Sequence, residues 1–288
     1  MGHPAAISFL APAKLNISLE VFGRRPDGYH DIRSVMVPVS LYDEVAVEEI
    51  PGGIVVECDD PDVPVDAANT CHRAASLFRE RAGLPAGVRI RIRKGIPSQA
   101  GLGGGSSDAA ATLKGLYALT DSRLPPEELL ALAARVGADV PFFTLGSAAL
   151  VEGFGEALTP IPWKDPFHAI VVKPPFGMST REGYERLRRG PMEAPPRGQV
   201  PSFPDLSALA AAVRNDFEEA WAPARPEIAR LKAALLAAGA LAAGLSGSGS
   251  TVFGLFATAG DAAEALRRMP ADAGGGAGER RFVVRSIP

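Results

Sequence analysis

The strictest alternation in the chain lies near its start. In Lys14–Val21 the apolar Leu15, Ile17, Leu19 and Val21 alternate with Lys14, Asn16, Ser18 and Glu20. A period of two marks a strand with two chemically different faces, so Lys14 and Asn16 project from the same side. Residues 5–23 read as strands, and 32–39, 44–49 and 54–58 share their character, which makes the first half β-rich. The pattern then turns helical over 67–82, with Asn69 or Thr70 as cap and Gly83 as stop. Val88–Arg93 predicts a strand with an apolar face and a basic face; it ends at Lys94 and runs straight into a glycine-rich loop and an Ala/Leu-rich helix. Pro125-Pro126-Glu127-Glu128 opens another helix, which stops at Gly137. A strand at 147–152 and a turn around Glu152–Gly155 follow. The second half alternates: a strand at 169–172, a helix over Ser179–Arg189, helices at 205–215 and 226–238, two strands flanking a Gly/Ser loop within 240–257, a helix at 260–269 and a strand at 281–287. That order predicts a split β-α-β domain. Three prolines and Trp163 within 160–167 mark the connection, which divides the chain into domains 1–160 and 161–288. Five prolines within 190–204 mark a loop.

Composition narrows the function classes. With 288 residues, 47% of them hydrophobic and 22% charged, the chain has the profile of a soluble globular protein. A net charge of −3 argues against a general nucleic-acid surface. No apolar run approaches the ~20 residues of a membrane helix, and the first residues lack the parts of a secretion signal. Cys58 and Cys71, the only cysteines, have no metal-ligand spacing. A cytoplasmic protein is expected, and with no obvious apolar stripe, a monomer.

The chemistry centres on residues 94–114. Gly101, Gly103, Gly104 and Gly105 fall within five positions, followed by Ser106, Ser107 and Asp108, which are N-cap types. Glycine lets backbone approach a ligand, and a helix start attracts anions. A capped tight turn explains one or two glycines; four with adjacent hydroxyls favour a nucleotide-phosphate loop. Ser106 stands where the dinucleotide pattern needs glycine, and no Gly-Lys-Ser/Thr follows, so the loop is of a third type. Arg89, Arg91, Arg93 and Lys94 either help hold phosphate or form a solvated face. Three other features are weaker alone. Lys14 and Asn16 could be the solvated face of an edge strand. Tyr29 and His30 follow the Pro26-Asp27-Gly28 turn and could hold a ligand ring or simply pack. Asp139, between a helix stop and an apolar segment, could be a general base or a turn residue. The loop Ser246–Thr251 reads as a hairpin turn or a second anion contact.

Taken together, Pro12-Ala-Lys14-Leu-Asn16, Asp27-Gly-Tyr-His30, Gly101–Ala109, Gly137-Ala-Asp-Val-Pro141 and Ser246-Gly-Ser-Gly249 resemble, in order, the motifs of the small-molecule kinases grouped with galactokinase, homoserine kinase, mevalonate kinase and phosphomevalonate kinase. The resemblance covers about Pro12 to Phe256. It implies a two-domain α+β fold, with a β-rich N-terminal domain like ribosomal protein S5 domain 2, a ferredoxin-like C-terminal domain, and the active site in the cleft between them. It implies ATP as donor, with Mg²⁺. Asp139 matches the catalytic aspartate and Lys14 the lysine that stabilises charge beside it. Pro97, Ser98, Gln99, Ala100, Gly101, Leu102, Gly103, Gly104, Gly105, Ser106 and Ser107 match the ATP loop; Asn69 and Lys94 would lie near the nucleotide. Ser107 is a candidate Mg²⁺ ligand. Asp27-Gly-Tyr-His30 is similar to the branch that phosphorylates the 2-hydroxyl of a cytidine-diphosphate-linked methylerythritol in the non-mevalonate route to isoprenoid precursors. There Tyr29 and His30 would hold the cytidine, Tyr184 would stack on it, and Asn16 would position the substrate. The alternatives are another small-alcohol kinase of the superfamily and a non-catalytic nucleotide-binding protein. A dinucleotide oxidoreductase is disfavoured by the broken glycine pattern.

Overall fold

The computed structural model describes residues 6–120, 124–163, 166–191 and 199–287. Parts of the expected 160–167 connection and 190–204 loop lie outside the described residues. In chain order the first elements are β1 (Ile7–Arg24), β2 (His30–Ile50), β3 (Ile54–Cys58), α1 (Thr70–Ala82), β4 (Gly87–Arg93), α2 (Gly104–Leu119), α3 (Pro126–Val136) and α4 (Val140–Leu145). There follow β5 (Ala149–Gly153), β6 (Ala157–Pro160), β7 (His168–Lys173), α5 (Thr180–Leu187), α6 (Leu206–Ala211), β8 (Arg214–Asn215), α7 (Phe217–Trp221), α8 (Pro226–Ala237), β9 (Ala242–Leu245), β10 (Val252–Phe256), α9 (Ala259–Arg268) and β11 (Arg280–Arg285).

Two compact units interleave along the sequence. The first comprises Met1–Ala13, Leu41–Ser98 and Gly103–Gly146. In it, Glu44–Ile50 of β2 runs antiparallel to β4, and β3 runs parallel to β4. The basic face of β4 meets acids on both neighbours: Arg89 and Arg91 pair with Glu48 and Glu57, and Arg93 with Glu44. The apolar Val88, Ile90 and Ile92 are buried, as the alternation requires. Asn69 caps α1 by accepting from Cys71 N at 2.8 Å, and Gly83 ends it in the left-handed region. Both cysteines are free thiols, and burial pushes the Cys71 thiol up.

The second unit comprises Lys14–Ser40, Gln99–Leu102 and Ser147–Pro288. Its four-stranded sheet has the order β11-β7-β10-β9, antiparallel throughout. With helices between β7 and β9 and α9 between β10 and β11, this is the ferredoxin-like arrangement. Ile32–Met36 of β2 pairs with β5, and Ser18–Leu19 of β1 pairs in parallel with β8.

Three expectations change. The polar face of Lys14–Ser18 is not a solvated edge: Lys14 and Asn16 are 3% and 4% exposed, and β1 has hydrogen-bonded neighbours on both sides. The helix expected over 205–215 stops at Ala211, tightens through Ala212 N to Leu209 O and Val213 N to Ala210 O, and gives way to β8 and the unforeseen α7; strand pairing with β1 outweighs local propensity. Finally, Ser106, Ser107 and Asp108 do not cap α2. Gly103, at φ +74°, is the cap, so Ser106 and Ser107 lie in the first turn and Asp108 just beyond it.

Candidate functional site

The second unit gathers one polar cluster around Lys14. Lys14 Nζ donates to Asn16 Oδ1, and Gly247 N donates to the same oxygen at 2.8 Å. Asn16 Nδ2 donates to Ser34 Oγ at 2.7 Å, and Ser34 Oγ donates to Ser18 O at 2.6 Å. A period-two strand places Lys14 and Asn16 side by side, and β2 supplies Ser34 opposite them. Ser34 is a contribution that local sequence reading did not assign; the Ser246–Thr251 loop, read from sequence as a hairpin turn or a second anion contact, supplies the Gly247 amide. The loop is the β9–β10 connection and is wholly buried. Ser246 Oγ donates to Gly101 O at 3.0 Å, Ser248 Oγ lies 2.8 Å from Thr180 Oγ1, and Ser250 Oγ donates to Phe176 O at 2.7 Å. The three serine hydroxyls are spent on protein partners, as in a structural hairpin turn, whereas Thr251 Oγ1 is buried with no hydrogen-bond partner among the described residues.

The glycine loop divides between the units. Gln99–Leu102 belongs to the second, where Thr251 N donates to Ala100 O at 3.2 Å and Lys14 N to Leu102 O at 3.0 Å. Gln99 takes φ +50°, a conformation that costs a non-glycine residue energy and collects at functional sites. Its side chain lines a cavity of about 330 Å³ with Gly101, Met178, Ser179, Thr180, Ser248 and Gly249. Gly103–Ser107 belongs to the first unit and forms the start of α2. The first amides of a helix lack intrahelical acceptors, so this end presents donors. Thr70 Oγ1 braces it by donating to Gly105 O at 2.7 Å. Ser107 Oγ is buried with no hydrogen-bond partner among the described residues. Ser98 Oγ reaches Asp60 Oδ2 at 3.2 Å.

Tyr29 and His30 follow a turn that Asp27 holds by accepting from Tyr29 N at 3.1 Å. His30 stacks on Tyr184, with ring centroids 4.8 Å apart and planes 16° apart. Tyr29 meets Phe154, and the Arg25 guanidinium lies 5.7 Å from the Phe154 ring. Phe154 is a further aromatic; its only sequence signal was a place between two glycines. Burial, and then the Arg24 charge, lower the His30 pKa, so the imidazole favours its neutral form.

Two sequence-predicted nucleotide residues have protein partners. Asn69 uses its oxygen on the α1 cap and its Nδ2 on Pro64 O. Lys94 Nζ is held by Asp43 and Asp108. Asp139, in the first unit, sits at the start of α4 with no side-chain bond to that helix.

The comparisons define a class for this fold. The model of the GHMP kinases N terminal domain matches residues 69–147, and that of the GHMP kinases C terminal domain matches 199–274. A crystal structure of homoserine kinase from Cytophaga hutchinsonii has the same fold, with a TM-score of 0.73 at 20% identity, covering 100% of this chain and 96% of that one. The chain thus has the two-domain fold of an ATP-dependent small-molecule phosphotransferase. A 4-diphosphocytidyl-2-C-methyl-D-erythritol kinase from Symbiobacterium thermophilum is 46% identical over 84% of this chain and 88% of its own. One from Pelotomaculum thermopropionicum is 41% identical over 87% and 89%. A crystal structure of 4-(cytidine 5'-diphospho)-2C-methyl-D-erythritol kinase is 37% identical, with a TM-score of 0.78 over 98% of this chain and 100% of that one. The chain belongs to the 4-diphosphocytidyl-2-C-methyl-D-erythritol kinase family of the GHMP kinases.

Proposed function

We propose that this chain transfers the γ-phosphoryl group of ATP to the 2-hydroxyl of 4-diphosphocytidyl-2-C-methyl-D-erythritol, giving the 2-phosphate and ADP in the non-mevalonate isoprenoid pathway. The observation that carries the reading is 46% identity over 84% of the chain to a kinase named for that substrate. The stack of His30 on Tyr184 supports it, because paired flat rings beside an exposed Tyr29 suit a nucleobase.

Phosphoryl transfer depends on positioning and charge stabilisation more than on covalent chemistry by the protein. In this reading Asp139 takes the proton from the substrate hydroxyl, and the Lys14 ammonium stabilises negative charge at the reacting centre. Asn16, anchored by Ser34 and Gly247, orients Lys14 and the substrate. The loop Pro97–Ser107 receives the phosphates, with the α2 start supplying donors. Tyr29, His30 and Tyr184 hold the cytidine. Mg²⁺ fits the residues present: among the described residues no cluster of three acids, histidines or cysteines could cage a cation, yet Ser107 offers an unpartnered oxygen. That is the economy of an ion held mainly by phosphate and water; when bound it neutralises phosphate charge. The reading includes an N-terminal domain over 1–160, a C-terminal domain over 161–288, a monomer, and a cytoplasmic setting. Among the described residues no helix is long and apolar enough to cross a membrane.

The test is ADP release by the purified chain with 4-diphosphocytidyl-2-C-methyl-D-erythritol, mevalonate, homoserine and galactose. Turnover with the cytidyl alcohol alone supports the reading. Turnover with another alcohol instead would keep the kinase and discard the cytidine site. ATP binding without turnover on any of them would leave a nucleotide-binding protein.

A further inference from the structure

Beneath the start of α2 lies a polar cluster that the chemistry above does not use. Lys94 Nζ, just past β4, donates to Asp43 Oδ2 on β2 and, at 2.8 Å, to Asp108 Oδ2 just past the first turn of α2. The Lys94, Asp43 and Asp108 side chains are only 9%, 0% and 3% exposed. Asp43 Oδ1 accepts from Gly95 N at 2.7 Å and Ile96 N at 2.8 Å. One carboxylate therefore holds the two amides that lead into the glycine loop, and one ammonium ties that carboxylate to the helix beyond it. The helix start rests directly on the cluster: a methyl added at Gly104 would meet Ile96 Cγ2 at 3.2 Å and both Asp43 Oδ2 and Lys94 Nζ at 3.3 Å. Buried ion clusters are costly, and apolar residues of similar volume often serve stability as well. What an apolar patch cannot do is fix three backbone segments in one register through directed bonds.

We propose that Asp43, Lys94 and Asp108 form a clamp that holds the Gly103–Ser107 half of the loop in the shape that receives ATP phosphates, and that Lys94 is a positioning residue that does not itself touch phosphate. The inference rests on the reading of Pro97–Ser107 as the phosphate loop. An ammonium shared between two carboxylates and withdrawn from water has its charge already answered. The observed geometry gives it a definite job: setting where the Gly104 and Gly105 amides point.

The test is a double-mutant cycle read as KM for ATP, KM for the cytidyl alcohol, and kcat. Lys94→Met leaves Asp43 and Asp108 facing each other without a cation; KM for ATP should rise about tenfold, within the range for coupled neighbours, while KM for the alcohol stays near wild type. In Lys94→Met/Asp108→Asn the new amide can donate to Asp43 Oδ2 and rebuild the tie, so KM for ATP should return to within about threefold of wild type. A direct phosphate ligand would show no such rescue, and a double variant as impaired as Lys94→Met overturns the clamp. If Lys94→Met does not fold, the double variant is compared with Asp108→Asn: equal KM for ATP supports the clamp and a tenfold gap overturns it. Gly105→Ala tests the loop reading separately, because its methyl meets Thr70 Oγ1 at an ordinary 3.5 Å while crowding the exposed side of the loop. An unchanged KM for ATP there removes the phosphate loop and the clamp with it. A raised value without rescue in the cycle overturns the clamp alone.

Discussion

Gly101→Ala is the substitution whose cost the structure states most directly. Gly101 has φ +74°, in the left-handed region, which costs an L-residue roughly 1–2 kcal/mol. Its Cβ would lie 2.2 Å from Ser246 O and 2.8 Å from Gly249 O. Both neighbours are backbone atoms in a buried turn, so no rotamer change relieves the clash. Restoring ordinary contact needs a shift of roughly 1 Å, and three tethers resist it: Ser246 Oγ to Gly101 O, Thr251 N to Ala100 O, and Lys14 N to Leu102 O. Each is worth about 1 kcal/mol net. The expected destabilisation is about 3–5 kcal/mol, which at ~2–4 °C per kcal/mol for a chain of this size lowers Tm by on the order of 10 °C. Because Leu102 O anchors the backbone of Lys14, the same shift displaces the proposed catalytic lysine, and misplacement by about 1 Å costs about 10²-fold in turnover. Thermal unfolding by circular dichroism and a coupled ADP-release assay read the two effects. A variant within about 2 °C of wild type and with undiminished kcat would refute the close approach of Gly101 to the Ser246 turn.

Asp139→Asn should lower kcat by about 10²–10⁴-fold, the size of a lost general base; Tm should barely move, because the carboxylate makes no cap bond to α4, and unaltered turnover removes Asp139 from the mechanism. Asn215→Ala deletes Nδ2 bonds to Leu245 O and Gly247 O and the acceptor for Phe217 N, so Tm should fall by on the order of 5–10 °C; an unchanged melting curve would show that the Ser246 turn does not depend on it. His30 should titrate below 6.5, since burial and Arg24 oppose its charge. The unfolded chain then binds the extra proton just below 6.5, so the stability linked to His30 is full above that pH and is lost as pH falls through the window. Arg24→Gln should move the imidazole inflection, followed by NMR, back towards 6.5, and an inflection at or above 6.5 in the wild type would contradict the assigned environment.

What the sequence by itself determined was local. Alternation in Lys14–Val21, the run from Val88 through the glycines into α2, the Asn69 and Gly83 boundaries of α1, and the β9–β10 hairpin all arise from preferences that act within a few residues, so spacing alone reveals them. The ordered motifs from Pro12 to Gly249 carried the family in the same way. Tertiary structure decided which of those residues meet. It brought Tyr184 onto His30 and set Ser34 and Gly247 around Asn16. It set the Lys94 ammonium between Asp43 and Asp108. It also broke the helix expected over 205–215, because Arg214 and Asn215 gain strand partners on β1. None of these outcomes is written in a short window of residues: each depends on hydrogen bonds and packing between segments far apart in the chain, and those exist only once the folded units bring the segments together.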